Sequence, residues 1–373
     1  MKNFLQIRNI LIIATAISLP IVVADQYMRF AKLPRNNSRV MLLSGGRLDS
    51  SGIGVRHYTP NSSIRHSAVY GDILEYSHEF KTDKNGFRVT HNCSAINKTN
   101  NLTVITGDSF TEGQGSDSVW IESIQRQLCE QGINSVNVAI AGYGIEDMKD
   151  SLDYAYEKLG ANKAIVAIIP DDIYRPRVPM TSSLSCSMYQ SRRCGDSATW
   201  WHHHEDLNSK DLIAFAATKH NFGIRPVLES LGLMQKLRKI VKRVLNYSSD
   251  TKQAKEILKR VLNYSSDTKR AEYISRSISA MNSITLKYLP KNVSLIILPT
   301  KYERNLKGSP ELKTRRSTEF VGFLESINKN VSIKDLRECP LGEKHFFSID
   351  GHPNEEGHKL LSKCALNQIT NIE

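Results

Sequence analysis

The sequence predicts an α/β fold built around a parallel sheet, and three features of the 373-residue chain indicate it. Short apolar runs rich in β-branched residues alternate with amphipathic stretches of helical length, which is the pattern of strands joined by crossover helices. One such run ends in a glycine-containing turn that carries Ser109. A second polar block, around His352, directly precedes the last helical stretch. Loops that follow parallel strands meet at one edge of the sheet, where ligands bind.

The first 24 residues predict an export segment. Lys2 and Arg8 give a positively charged start, and residues 10–24 are apolar with few interruptions. Cleavage after the Val-Val-Ala at 22–24 and retention as an uncleaved anchor both fit this pattern, although the run is short for a membrane-spanning helix. In both cases the bulk of the chain, membrane-anchored or secreted, is expected outside the cytoplasm.

The charge balance is basic. Lysine and arginine number 50 against 38 acidic residues, which gives a formal net charge of +12. Such a balance favours anionic surroundings, namely membrane headgroups, acidic polysaccharide or nucleic acid. Because no nucleic-acid-binding motif occurs, we expect no nucleic-acid partner.

Residues 25–100 predict a linker and a small β-rich segment. Turn signals separate short runs that alternate between apolar and polar residues. The segment ends at Asn85-Gly86, a turn signal, followed by Phe87-Arg88. Arg88 has two interpretations, a group that reaches the functional site or a structural ion pair.

A strand–turn–serine block comes next. Residues 102–113 read LTVITGDSFTEG, in which a run suited to a buried strand breaks into Gly107-Asp108-Ser109. A serine on such a turn is held at the carboxyl edge of the sheet. An amphipathic helix is expected over about residues 118–131. The chain has neither a Gly-x-Ser-x-Gly elbow nor a P-loop, which excludes the usual α/β-hydrolase and P-loop signatures.

Two further strands end in turns. The second strand leads into Gly142, where a glycine lets a backbone N–H face a ligand, although a plain strand-to-helix turn uses glycine too. A helix is expected at about residues 146–158. The third strand, residues 164–169, leads into a turn that contains Asp171.

The middle of the chain predicts additions to the fold. Residues 173–210 are irregular and include two adjacent tryptophans and three consecutive histidines, which fits an aromatic lid or a structural loop. A metal site is disfavoured there because consecutive histidines do not readily face one ion. Residues 211–288 predict a basic helical insertion, in which residues 242–252 recur at 259–269. Two copies are too few for a solenoid, so we interpret them as a local surface duplication. The basic face is either solvated or attracted to anionic lipid or polysaccharide.

The α/β pattern returns near the C-terminus. Strands and helices are expected in alternation, at residues 293–298, 313–328, 331–333 and 354–368. The stretch that precedes the last helix reads DGHPN, so a single glycine separates Asp350 from His352. His358 lies inside the expected helix and is interpreted as a packing or surface residue.

Six cysteines are consistent with disulfides in an exported protein. Cys186–Cys194 would close a short loop, and Cys339–Cys364 would tie the last strand to the last helix. Because connectivity does not follow from sequence, free buried thiols stay the alternative.

The blocks around Ser109, Gly142, Asp171 and His352 resemble, in their order, those of the SGNH (GDSL-type) hydrolases over about residues 70–370. The resemblance implies a three-layer, flavodoxin-like sandwich over residues 101–373. It implies Ser109 as nucleophile, His352 as base and Asp350 as acid, with oxyanion donors at Ser109, Gly142 and Asp171. The family has asparagine where this chain has Asp171, and usually two residues between acid and histidine. Three interpretations of Asp171 follow. It is protonated and donates to the oxyanion, its side chain points away from the oxyanion, or it weakens catalysis at the site.

The resemblance also implies a function, which is serine-dependent hydrolysis of acyl esters with no metal or organic cofactor. Because related members often begin with an anchor, it favours an uncleaved anchor and the membrane as a partner. The expected substrate is an O-acylated carbohydrate of the cell envelope or exterior, or another small ester. O-acyl transfer on the same scaffold and a non-catalytic carbohydrate-binding or assembly protein are the alternatives. The sequence does not fix the oligomeric state.

Overall fold

A computed structural model describes residues 23, 39–46, 48–49, 55–91, 93, 101–175, 177, 201–203, 208–219, 267–288, 293–301, 310–327 and 331–369. The predicted export segment, residue 23 apart, lies outside these residues, as do Cys186, Cys194 and most of the duplicated segment. Across the described ranges, no helix is both long enough and apolar enough to span a bilayer.

Strands and helices alternate through most of the described chain. The strands are β1 (Arg39–Ser44), β2 (Leu48–Asp49), β3 (His57–Tyr58), β4 (Ser63–Tyr70), β5 (Ile73–Lys81), β6 (Leu102–Thr106), β7 (Asn134–Asn137), β8 (Lys163–Ile168), β9 (Trp201–His203), β10 (Val293–Ile297) and β11 (Ser332–Asp335). The helices are α1 (Ser109–Glu112), α2 (Ile121–Glu130), α3 (Ile145–Tyr154), α4 (Ser209–Lys219), α5 (Asp267–Lys287), α6 (Pro310–Ser326) and α7 (Glu355–Ile369). A π-helical turn extends α3 through Ala155–Leu159, and a 3-10 turn at Pro170–Tyr174 follows β8.

The central sheet has five parallel strands in the order β11-β10-β8-β6-β7. Within this sheet β6 is the first strand and β7 the second, so the order is that of a flavodoxin-like fold. The topology switches between β6 and β8, where loops leave in opposite directions and open a crevice at the carboxyl edge. Ser109 follows β6 and the turn with Asp171 follows β8, so both lie at this switch point. The predicted fold class is confirmed.

Helices cover both faces of the sheet because its strands alternate apolar side chains between two cores. Val104 and Val166 face a core that includes buried residues of α3, α5 and α6. Ile105 and Ile165 point the other way, toward buried residues of α2 and α7. The result is a three-layer sandwich with a hydrophobic core on each side of the sheet.

A second sheet precedes the sandwich, in the order β5-β4-β1-β9. Strands β5, β4 and β1 are antiparallel neighbours, and β9 joins β1 in parallel. On one side, Met41 and Leu43 of β1 belong to the same core as the β6 and β8 side chains. On the other side, Val40 and Leu42 pack with Leu212 of α4. The predicted β-rich segment therefore shares a hydrophobic core with the sandwich.

The structure revises the interpretation of the middle of the chain. Helix α5, predicted within the insertion at 211–288, forms part of a helical layer because Met281 and Ile284 are buried in the core. Part of the predicted lid, β9, is an edge strand beside β1. The local sequence predicts neither the burial of α5 nor the pairing of β9 with β1. Both depend on contacts with residues that are distant in the chain.

The described part of the chain contains two disulfides. Cys339–Cys364 connects the turn after β11 to α7, as predicted. Cys93–Cys129 was not predicted, and it ties the end of the β-rich segment to α2.

Candidate active site

The candidate nucleophile stands at the start of α1. Asp108 caps this helix, its side chain accepting a hydrogen bond from the amide of Phe110 at 2.9 Å. Gly107 is required by close packing, since a Cβ there would lie 2.5 Å from Oγ1 of Thr111 and 2.8 Å from the carbonyl oxygen of Ala167. The turn thus presents Ser109 directly beyond the edge of β6.

Ser109, His352 and Asp350 come together as the sequence predicts. The hydroxyl oxygen of Ser109 lies 2.7 Å from Nε2 of His352, and Nδ1 of His352 contacts Oδ1 of Asp350. All three residues are buried. A carboxylate acceptor requires the proton on Nδ1, which leaves Nε2 free to accept the proton of the serine hydroxyl. This is the geometry in which a serine is activated as a nucleophile.

The short spacing between acid and histidine works because their loop folds back on itself. Oδ1 of Asp350 also accepts the backbone amide of His352, at 3.3 Å. The amide of Phe347 donates to the carbonyl of His352 at 3.0 Å, and Phe346 bridges to Pro353. One residue between acid and base therefore suffices to place the two side chains next to each other.

Two backbone amides are available for a developing oxyanion. The amide of Ser109 lies in the first turn of α1, where no intrahelical acceptor exists. Gly142 adopts a left-handed conformation, with φ of 81°, that glycine tolerates. The neighbouring amides of Ala141 and Tyr143 donate to Glu112 and Ile140, whereas for that of Gly142 the described part of the chain offers no acceptor. The role of these two amides as oxyanion donors stays a prediction.

In the turn after β8, the buried carboxylate is that of Asp172. Its side chain accepts the amide of Ile169 at 3.0 Å and pairs with Arg175 at 2.8 Å. Burial and the nearby charge of Asp108 raise the pKa of Asp172. Asp171 is only partly buried, and its place among the oxyanion donors stays a prediction.

Arg175 was not singled out in the sequence. Its guanidinium donates to Oδ2 of Asp108 at 2.9 Å and to the carbonyl of Tyr143 at 3.0 Å. It therefore joins the turn after β8 to the residue before the nucleophile and to the loop of Gly142. A lone arginine after an irregular turn gives no sequence signal for such a position.

Tyr70 and Tyr76 were also missed. Their hydroxyls donate to Oδ2 of Asp350, at 2.7 Å and 3.3 Å. Both tyrosines lie on the β4–β5 hairpin, about 275 residues from the acid, so no local pattern could have linked them to it. Alternation along these strands predicts only that their side chains face inward.

Comparison with known proteins finds similarity only to solved structures. No protein-family model matches the chain, and neither does any curated protein sequence. One similar solved structure is a lipase/acylhydrolase from Enterococcus faecalis, with 10% identity over 72% of this chain and 95% of that one and a TM-score of 0.36. Another is a family 3 carbohydrate esterase from Clostridium thermocellum, with 12% identity over 73% and 96% and a TM-score of 0.34. A third is a catalytic mutant of an acetylxylan esterase from Geobacillus stearothermophilus, with 14% identity over 73% and 95% and a TM-score of 0.34.

Arg88 has a structural role, but through hydrogen bonds to backbone carbonyls and not through the predicted ion pair, since none is found for it among the described residues. Its guanidinium donates to the carbonyls of Gly113 and Ser116, at 2.8 Å and 2.7 Å, and lies over the ring of Phe80. Burial lowers the pKa of Arg88 to about 10. The side chain holds the backbone that follows α1.

His358 packs in the core. It is buried on α7, where Nδ1 accepts the amide of Trp120 at 3.4 Å. Burial lowers the pKa of His358 to about 3, so the ring is neutral at physiological pH. This agrees with its predicted packing role.

Proposed function

We propose that this protein is a serine-dependent acyl-ester hydrolase of the SGNH type. The observation that carries the proposal is the hydrogen-bonded series from the Ser109 hydroxyl through the His352 ring to the Asp350 carboxylate. Ser109 and His352 lie 243 residues apart in the sequence, yet the three side chains meet at the carboxyl edge of a parallel sheet. A hydrogen-bond network with a purely structural role would not require a serine, activated by a histidine, at the edge where ligands bind.

The proposed reaction proceeds through an acyl-enzyme. His352 takes the hydroxyl proton as the oxygen of Ser109 attacks the ester carbonyl carbon, and the amides of Ser109 and Gly142 stabilise the resulting oxyanion. The protonated His352 then gives its proton to the leaving alcohol as the C–O bond of the ester breaks. Water, deprotonated by His352, attacks the acyl-enzyme and releases the acid and free Ser109. Each oxyanion donor is worth about 3 kcal/mol in the transition state.

The proposed substrate is an O-acyl group, such as acetyl, on a carbohydrate of the cell envelope or exterior. The charged and apolar start of the chain supports export, and the net charge of +12 suits an anionic polysaccharide or a membrane surface. The resemblance to exported SGNH-type proteins supports the O-acyl class.

The proposal predicts strong and specific losses of activity. We expect Ser109→Ala and His352→Ala each to lower kcat/KM for p-nitrophenyl acetate by at least about 10⁴-fold, since members of such a triad act as a unit. The melting temperature of each variant should stay near that of the wild type. Full activity of Ser109→Ala in a clean preparation would refute the mechanism.

Incubation with O-acetylated polysaccharide then distinguishes the substrate alternatives. Release of free acetate supports hydrolysis, and appearance of acetyl on an added sugar acceptor indicates transfer. Binding of the polysaccharide with neither product indicates a carbohydrate-binding protein.

A further inference from the structure

We propose that Tyr70 and Tyr76 are positioning residues of the active site, and that the β4–β5 hairpin is therefore part of the catalytic machinery. The proposal rests on the function proposed above for Ser109, His352 and Asp350. It adds two residues that hold the acid from outside the sandwich and that no motif of the chain indicates.

The two carboxylate oxygens of Asp350 have separate tasks. Oδ1 faces the ring and the amide of His352. Oδ2 accepts the hydroxyl of Tyr70 at 2.7 Å and that of Tyr76 at 3.3 Å. Asp350 is 3% exposed, and both tyrosine rings are buried. In such a site, two O–H donors stabilise the ionised carboxylate and fix the plane of its oxygens.

Tyr76 also contacts the segment that follows the nucleophile. The side chain of Gln114, just beyond α1, donates to the Tyr76 hydroxyl. The Tyr76 ring lies 4.9 Å from that of Phe347 in the acid loop, which is the segment of residues 346–353 that carries Asp350. Gly115, with φ of 86°, leaves room for both rings, since a Cβ there would lie 2.5 Å from Phe347 and 3.1 Å from Tyr76. One tyrosine thus touches the nucleophile segment and the acid loop together.

The β4–β5 hairpin also forms hydrogen bonds to the acid loop at a second place. The carboxylate of Glu75 accepts the amide of Ile349 at 2.9 Å and the hydroxyl of Ser348 at 3.2 Å. Adjacent residues of β5 therefore hold the acid loop by its backbone and by its catalytic carboxylate. This support adds to the hydrogen bonds within the loop itself, so that one oxygen of Asp350 is held from inside the loop and the other from the hairpin.

The test compares Tyr70→Phe, Tyr76→Phe and the double variant with the wild-type full-length chain. Tyr156→Phe is the matched control, because its ring is stacked on Tyr288 and its hydroxyl has no hydrogen-bond partner among the described residues. We measure kcat and KM for p-nitrophenyl acetate, and the low-field proton NMR signal of the Nδ1–H group of His352, which needs no turnover.

Each single variant should lose about tenfold in kcat, the effect of one hydrogen bond to a charged group, with KM within about twofold. The double variant should lose more, and the NMR signal should shift or broaden in all three. Tyr156→Phe should match the wild type in every measurement. A merely structural contact would change the melting temperature and leave kcat and the NMR signal unchanged.

The outcomes separate this inference from the proposed function. If the wild type hydrolyses the ester, Ser109→Ala does not, and both tyrosine variants keep the wild-type kcat and NMR signal, the inference is overturned. If the wild type has no esterase activity but the NMR signal changes in the tyrosine variants, the positioning role stands and the proposed function fails. Should Tyr76→Phe not fold, Gln114→Leu tests the same hydroxyl from its other side. A lowered kcat then supports the inference, and a wild-type kcat contradicts it.

Discussion

At the scale of single residues, one titratable side chain is buried close to the nucleophile. Glu112, the last residue of α1, is buried, and Tyr58 donates its hydroxyl to this carboxyl group. The other oxygen of Glu112 accepts the amide of Ala141 at 3.1 Å, next to the proposed oxyanion donor Gly142. Glu112 therefore connects the helix of the nucleophile to the loop of the oxyanion site.

The pH dependence of stability should reveal this carboxyl group. Burial raises the pKa of Glu112 from 4.5 to about 7, although the Tyr58 hydrogen bond and the charge of Arg88 oppose the change. The folded protein therefore favours protonated Glu112, and its stability falls as pH rises from 4.5 through about 7. Relative to Glu112→Gln, the wild-type free energy of unfolding should fall by about 3 kcal/mol across that range. Urea denaturation at several pH values measures it, and parallel curves for the two proteins would contradict the assignment.

At the scale of secondary-structure elements, periodicity predicted most of the sandwich. The strands β6, β8 and β10 lie within about a residue of their expected positions, because continuous β-branched runs suit strands buried on both faces. The closing helix α7 was predicted equally well from the block around His352. These elements are specified by their own local sequence, so a sequence suffices to locate them.

The elements that were missed owe their places to distant contacts. The three-residue strand β9 pairs with β1, which lies about 160 positions earlier in the sequence. The bonds from β4 and β5 to Asp350 span about 275 residues. Of the site itself, the order of motifs and the resemblance that they carry predicted that Ser109, His352 and Asp350 meet, as they do in the structure. It could not identify the tyrosines or Arg175, whose roles depend on which loops the fold brings together.

At the scale of the whole molecule, one hydrophobic core joins the N-terminal sheet to the sandwich. Met41 and Phe80 belong to the same core as Val104 and Leu295. Because the acid loop is held by this sheet, the part of the chain that follows the predicted export segment contributes directly to the proposed site. The N-terminal sheet is thus more than a spacer between the predicted anchor and the sandwich.

The predicted location of the molecule is open to a direct test. We expect a reporter enzyme that is active only after export to be active when fused to the C-terminus. Carbonate extraction should leave the chain in the membrane fraction if residues 1–24 are an uncleaved anchor. A mature chain beginning near residue 25 would contradict the anchor but not export, and an inactive reporter would contradict export.

The most direct measurement of the proposed mechanism is covalent capture of the nucleophile. The full-length chain is incubated with a fluorophosphonate, which phosphonylates an activated serine with loss of fluoride, and the adduct is located by peptide mass spectrometry. We predict one adduct, on Ser109, which is absent from Ser109→Ala. In His352→Ala, adduct formation should be slower by at least about 10³-fold, since the serine loses its base. An adduct on a different serine, or equal labelling of wild type and His352→Ala, would contradict the activation of Ser109 by His352.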